Sequence, residues 1–407
     1  MREDRTAELY LYYRGCLDAH FWLPVFFLYF NELVEVPQVL LIEAVYYASI
    51  VTLEIPSGYF SDRFGRRFTL LIATTCLVGS FSAFFFASGI ESLFMGQVLL
   101  AAGLAFNSGT DTSLHYDSLA ASGRRSEDAQ REGIVARNGL FIGAFAALVG
   151  GLAGAYSLRI AYGLSILSAL GALLAVLLMR EPSRAECAHP EFLGQLKDCL
   201  SYLKKKPIAW IFSLVVLMTI LNHIPYMFYQ PYLKELVLGM SLESLSTPVL
   251  TGLVAAASLI IASIVASRTI EITQKFGTVT TLLSAALIQT VIIGLMAIVI
   301  NPMIALIILL RAVPRALMMA PINVCLVPRI PSSKRATYLS IQSLVGRISF
   351  AAYLLMMSWI TTDSTSSTWA AIQLPLIVGF GMGIGGLLLL FTLSRNLGLD
   401  QQSKDSG

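Results

Sequence analysis

The sequence predicts an all-α integral membrane protein with twelve transmembrane helices, arranged as two pseudo-symmetric six-helix bundles. Three observations lead there. Of 407 residues, 56% are hydrophobic and 13% charged, with a mean hydropathy of +0.73, whereas a soluble domain carries about 25% charged residues. Apolar stretches of about 20 residues, the length that crosses a bilayer, recur along the whole chain. Lysine and arginine are concentrated in alternate connections, which sets one inside and one outside. A net charge of +3 excludes nucleic acid as a partner. The apolar composition excludes a soluble enzyme and a disordered chain.

The spans are expected at 11–34, 39–60, 67–89, 92–119, 134–156, 158–179, 208–233, 247–267, 278–300, 302–328, 338–360 and 369–394. They are continuously apolar and lack the alternation of a lipid-facing barrel strand. The charged start, residues 1–10, merges into an overlong first span without a small-residue cleavage site, so an uncleaved first helix is expected. With the N-terminus inside, the inner connections hold Arg63, Arg66, Arg67, Arg124, Arg125, Arg131, Arg180, Arg184, Lys197, Lys204, Lys205, Lys206, Arg268, Lys275, Arg329, Lys334 and Arg335, against Arg159 and Lys234 outside. Both termini are therefore expected in the cytoplasm. The five cysteines, Cys16, Cys76, Cys187, Cys199 and Cys325, are scattered and point to neither a disulfide framework nor a zinc site. No metal is expected.

The longest polar stretch follows span six. It divides the chain into an N-terminal bundle at 1–180, a cytoplasmic linker at 181–206, a C-terminal bundle at 207–396 and a polar tail at 397–407. Matching features recur across the divide: Arg137 and Arg347 are 210 apart, Asp62 and Glu271 209, Gly65 and Gly277 212. These offsets predict a duplicated six-helix unit, and two such halves around a midplane site are the architecture of secondary transporters. A twelve-span bundle needs no second copy to complete a cavity, so a monomer in the lipid bilayer is expected.

The segment Gly58-Tyr-Phe-Ser-Asp62-Arg63-Phe-Gly65-Arg66-Arg67 follows span two. It resembles, at every key position, the loop between helices two and three of the major facilitator superfamily. Leu53-Glu54-Ile-Pro-Ser-Gly58, Tyr116-Asp117-Ser118-Leu119 and Gln230-Pro231-Tyr-Leu-Lys-Glu235 are similar to a bacterial branch of it. The resemblance implies a secondary active transporter in a bacterial inner membrane that moves a small-molecule substrate by alternating access. Proton-coupled efflux of amphipathic or aromatic compounds is the leading expectation, with the proton gradient as energy source and no cofactor. Transport of an anionic solute, such as a siderophore or organic acid, is the alternative, and a transporter-like sensor a more distant one. The resemblance also implies that Gly58, Asp62, Arg63, Gly65, Arg66 and Arg67 form a latch between the halves, with Arg347 in the second half at the position matching Arg137. Two departures stand out: span four lacks the arginine of the family's usual proton relay, and span five, with Gly139, Gly143, Gly150, Gly151 and Gly154, lacks the proline of the exporter signature.

Charges inside the spans each need a reason, since an ionisable group at mid-membrane costs about 2.5–3.5 kcal/mol. Asn107, Asp111 and His115 are four apart and fall on one helix face. Asp111 is a candidate proton carrier with His115 as relay, or else a structural brace. Arg14 and Asp18, also four apart, are expected to pair, with Asp18 and Glu54 as further coupling candidates. Asp117, Arg137 and Asp62 are expected to form one charge cluster at the inner ends of their spans. Arg311 and Arg315 are one turn apart near mid-depth and call for carboxylate partners or an anionic substrate. The superfamily's first and seventh helices line its cavity, so the resemblance makes Trp22, Phe26, Asn222, Tyr226, Tyr229 and Gln230 substrate-cavity candidates along with Asn107, Arg311 and Arg315. An aromatic wall with few polar groups suits bulky amphipathic solutes better than sugars.

Overall fold

In hydrocarbon a backbone must satisfy its own hydrogen bonds, and a continuous apolar run can do so locally only as a helix. The computed structural model describes residues 4–181, 201–240, 246–362, 368–394 and 397. Most of the expected linker and nearly all of the tail, with Cys187 and Cys199, lie outside the described residues. In chain order the helices are α1 (Asp4–Asp18), α2 (Phe26–Leu33), α3 (Val36–Phe64), α4 (Arg66–Phe85), α5 (Ile90–Asn107), α6 (Thr110–Ala121), α7 (Asp128–Tyr156) and α8 (Leu158–Leu178). They continue with α9 (Lys206–Gly239), α10 (Thr247–Phe276), α11 (Thr278–Ile298), α12 (Pro302–Ile308), α13 (Val313–Leu326), α14 (Ser332–Thr362) and α15 (Thr368–Ser394). Among the described residues, 11 helical stretches are long and apolar enough to cross a membrane. Large apolar side chains such as Leu167, Ile264, Trp359 and Phe391 stand exposed on them, as lipid contact requires.

Three expected spans are not single helices. The first is divided into α1 and α2 by a turn over residues 19–25. Pro24 has no N–H to give the helix, and its ring disfavours the helical region for Leu23. A carbonyl released at the end of α1, that of Cys16, is taken up by the Ser168 hydroxyl at 2.5 Å. The fourth span breaks between α5 and α6 at Gly109, whose φ of 73° is left-handed and open to glycine at little cost. The tenth breaks at a 3₁₀ turn, Leu309–Ala312, just ahead of Pro314.

The chain divides into two compact units, residues 1–187 with 243–256, and residues 188–242 with 257–407. Helix α10 is thus shared: its first part belongs to the first unit, where Ala255 and Ala256 pack on Ala147 of α7. The first unit holds an aromatic core of Phe26, Phe30, Phe84, Tyr29 and Tyr162, with the Tyr29 hydroxyl donating to the Phe84 carbonyl at 2.6 Å. In the second unit Trp210 Nε1 donates to the Leu390 carbonyl at 2.9 Å, and Gln289, fully buried, donates to the Leu221 carbonyl at 3.1 Å. Each of these donors is matched by a carbonyl, which offsets the cost of holding polar atoms in an apolar bundle.

The two units repeat one junction. Gly65 joins α3 to α4 with φ 105° and ψ 145°, and Gly277 joins α10 to α11 with φ 84° and ψ 156°. Both are one-residue reversals in a region that side chains with a Cβ avoid. In the first unit the junction is also capped. The N–H groups of Arg66 and Arg67 donate to the two oxygens of Glu181, at 2.9 and 2.6 Å. A carboxylate on a helix N-terminus is favoured both by those bonds and by the dipole. Replacing Glu181 with alanine is expected to cost about 1 kcal/mol, seen as a lower thermal unfolding midpoint of the detergent-purified protein, with Glu181→Gln intermediate.

Candidate functional site

The polar centre of the first unit is built on Arg14, near the end of α1. Its Nη1 reaches Asp111 Oδ2 at 2.8 Å and its Nη2 reaches Asp18 Oδ1 at 3.3 Å. Asp111 is 3% exposed, and the break at Gly109 sets it in the first turn of α6, where the helix dipole favours a carboxylate. Asn107, at the end of α5, accepts from the Tyr13 hydroxyl. The expected Arg14–Asp18 pair is thus present, but Arg14 also supplies to the fourth span the cation that this span's own sequence lacks. His115 lies one turn further along α6, stacked on the Tyr10 ring at 4.0 Å.

Of these groups Arg14, Asp18 and Asn107 face a cavity of about 200 Å³ within the first unit, walled also by Trp22, Phe81 and Ser165 among others. Two of its lining donors, Arg14 Nε and Trp22 Nε1, are buried with no hydrogen-bond partner among the described residues. The glycines of α7 make room for the turn that shapes this cavity. A Cβ on Gly139 would stand 2.7 Å from Asp18 Oδ2, one on Gly150 would collide with the Phe21 carbonyl, and one on Gly154 would stand 2.9 Å from Val25 Cγ1. Close approach of the broken first span accounts for three of the five glycines of span five, independently of any exporter signature. Phe26, expected in the cavity wall, is instead 1% exposed in the aromatic core, between Trp22 and Phe30.

The Gly58–Arg67 segment forms the end of α3 and the start of α4. Arg66 pairs with Asp117 and donates to the Ser113 carbonyl at 2.5 Å. Arg67 donates to the Val176 and Leu177 carbonyls at 3.2 and 2.9 Å, a cation on the C-terminus of α8. Arg63 meets the Tyr59 hydroxyl at 3.1 Å, and Asp62 and Gly58 are exposed. Among the described residues Arg137 is not paired with either carboxylate of the expected Asp117, Arg137 and Asp62 cluster: Asp117 pairs with Arg66, and exposed Arg137 bonds the side chain of its neighbour Asn138 at 3.4 Å. The carboxylate on the α4 N-terminus is Glu181, which sequence reasoning missed because it lies 115 residues from Arg66.

In the second unit Arg311 lies in the 3₁₀ turn of the tenth span. Its guanidinium carbon stands 4.1 Å from the Tyr229 ring centroid, and its Nη1 donates to Ser258 Oγ at 2.7 Å. Among the described residues no carboxylate pairs with it. Gln230 is fully buried beside Tyr229, with Nε2 at 3.5 Å from the Tyr229 hydroxyl. Asn222 contacts Met318 and leaves Oδ1 buried without a partner among the described residues. Tyr226 is half-buried near His223. Arg315, one turn on from Arg311, is exposed. Arg347 is half-buried on α14, and Glu54 half-buried on α3. A buried carboxyl that the sequence reading passed over is Glu43 of α3, which accepts from Gln97 Nε2 at 2.5 Å and is 6% exposed. A lone glutamate inside an apolar run was the available signal.

A family model described as Major Facilitator Superfamily matches residues 21–353. No curated protein matches the chain. Among solved structures, the nucleoside transporter NupG is similar with a TM-score of 0.76 at 13% identity, over 97% of this chain and 99% of that one. A bacterial homologue of the iron transporter ferroportin has a TM-score of 0.72 at 14% identity, over 97% and 98%. A bacterial homologue of the human lysosomal transporter Spinster has a TM-score of 0.69 at 14% identity, over 98% of each chain. Removing Arg14 would leave Asp18 and Asp111 without their shared cation. Arg14→Leu is expected to destabilise the protein by roughly 3 kcal/mol in detergent unfolding, with Arg14→Lys recovering part of the loss.

Proposed function

The chain belongs to the Major Facilitator Superfamily and is a multi-pass membrane transporter, and on that premise we propose that it is a proton-coupled secondary transporter of small molecules. The observation that carries this reading is the sharing of Arg14 by Asp18 and Asp111 beside a cavity. Two carboxylates and one guanidinium sum to one negative charge in a poorly solvated interior. One proton makes the group neutral, so binding and release of a proton changes what the cavity can hold and what the surrounding helices must screen. Arg14 then passes from one carboxylate to the other as the site loads and empties.

The substrate we assign is an amphipathic or aromatic compound, exported in exchange for protons across a bacterial inner membrane with both termini cytoplasmic. Trp22 and Phe81 supply flat apolar walls, while the unpartnered Trp22 Nε1 and Arg14 Nε supply donors for an acceptor on the ligand. A second reading is favoured by one observation. Arg311, set on the Tyr229 face with no carboxylate beside it among the described residues, is a cation that a carboxylate- or phosphate-bearing solute would complete.

Everted membrane vesicles energised by respiration and followed with a pH-sensitive dye test the first reading. Cationic aromatic compounds are expected to evoke proton release from wild-type vesicles, and Asp111→Asn to abolish it. Substrate-evoked release that survives in Asp111→Asn would remove that carboxylate from coupling. For the second reading, Arg311→Gln is expected to lower organic-anion flux at least tenfold and to leave cation flux within about twofold, the tenfold loss corresponding to about 1.4 kcal/mol.

A further inference from the structure

We infer that the first unit carries a divalent transition-metal site formed by His115 of α6 with Asp128 and Glu132 of α7. One ligand atom from each of the three lies within 4.8 Å of the other two. Two ligands on a common ion at about 2.1 Å stand at most about 4.2 Å apart, so closure on a metal asks for shifts of about an ångström. Asp128 and Glu132 are four apart at the start of α7 and therefore share one helix face.

What turns an acidic pair into a site is the imidazole. His115 is 1% exposed, and both of its ring nitrogens are buried with no hydrogen-bond partner among the described residues. A neutral imidazole has one donor and one lone pair to satisfy. Leaving both unmet in an apolar bundle costs free energy that a metal bond to one nitrogen would recover. The carboxylates are also available. The nearby arginines are committed elsewhere: Arg131 pairs with Glu8 at 2.5 Å and Glu127 at 3.0 Å, and Arg124 pairs with Glu127 at 2.7 Å. Among the described residues neither Asp128 nor Glu132 is paired with a cation.

Tyr10 of α1 holds the arrangement from one side. Its ring stacks on the imidazole at 4.0 Å and 15°, and its hydroxyl donates to Glu132 Oε1 at 3.1 Å. One residue thus orients two of the three ligands, as outer-sphere groups do in metal sites. One nitrogen and two carboxylate donors suit manganese, iron, cobalt or zinc, whereas magnesium and calcium favour all-oxygen shells. An ion there would tie α6 and α7 together and, through Tyr10, hold α1 against them.

The test uses the full-length protein, purified in detergent and stripped with a chelator. Equilibrium dialysis against cobalt(II), manganese(II) or zinc(II) should give one ion per chain, with cobalt(II) adding a ligand-field spectrum in the visible. His115→Ala and Asp128→Asn are each expected to weaken binding at least about tenfold and to remove the cobalt spectrum. Glu127→Gln, a neighbouring carboxylate outside the site, should bind as wild type does. Magnesium and calcium should not compete at equal concentration. If His115→Ala fails to fold, Asp128→Asn and Glu132→Gln, both at half-buried positions, carry the same test. No uptake by the wild type, or uptake equal in the wild type and the three ligand variants, overturns the site and leaves His115 a stacking partner of Tyr10.

Discussion

Charges placed in a low-dielectric interior must find one another, because the cost of leaving one unpaired exceeds what any single apolar contact returns. Arg14, Asp18 and Asp111 obey that constraint, and much of the first unit follows from it. For Arg14 to reach Asp111 while keeping Asp18, α1 ends where Asp18 stands and α6 begins just before Asp111. Both helix breaks therefore lie beside the same charges. The first break needs space, which α7 provides at Gly139, Gly150 and Gly154. The second needs a left-handed residue, which Gly109 provides.

The second unit handles its cation differently. Arg311 is held by a ring face and a hydroxyl, partners that lower the cost of its charge without cancelling it. The Arg311 centre is thus left formally positive, whereas the Arg14 centre, with two carboxylates to one guanidinium, is formally negative. The two units share the glycine junction at Gly65 and Gly277, yet their polar centres carry opposite net charge. Common backbone geometry with divergent chemistry is what a duplicated scaffold permits, since function resides in the side chains placed on it.

Structural similarity to transporters with unlike names, at 13–14% identity, makes the same point from outside. The fold specifies how helices are arranged around polar centres. Which solute is carried is a matter of the side chains set on that scaffold, not of the scaffold itself.

Membership of the helical class, the apolar spans and the repeated Gly65 and Gly277 junctions were legible in the sequence alone. Hydrocarbon leaves a backbone few choices, and a glycine between two apolar spans at matching points of the two halves is a local signal. The Arg14–Asp18 pair was legible for the same reason, being one helical turn apart. What the tertiary structure decided was the partnerships across long separations: Arg14 with Asp111, Glu181 with the start of α4, and Glu43 with Gln97, along with the proximity of His115 to Asp128 and Glu132. It also gave residues that spacing had grouped different surroundings, setting Phe26 into the core, pairing Asp117 with Arg66, and leaving Arg315 exposed while Arg311 packs on Tyr229. The physical reason is one of range. Helical periodicity acts within a few residues, whereas a charge or a hydrogen-bonding group is satisfied by whichever neighbour packing brings within about 3 Å.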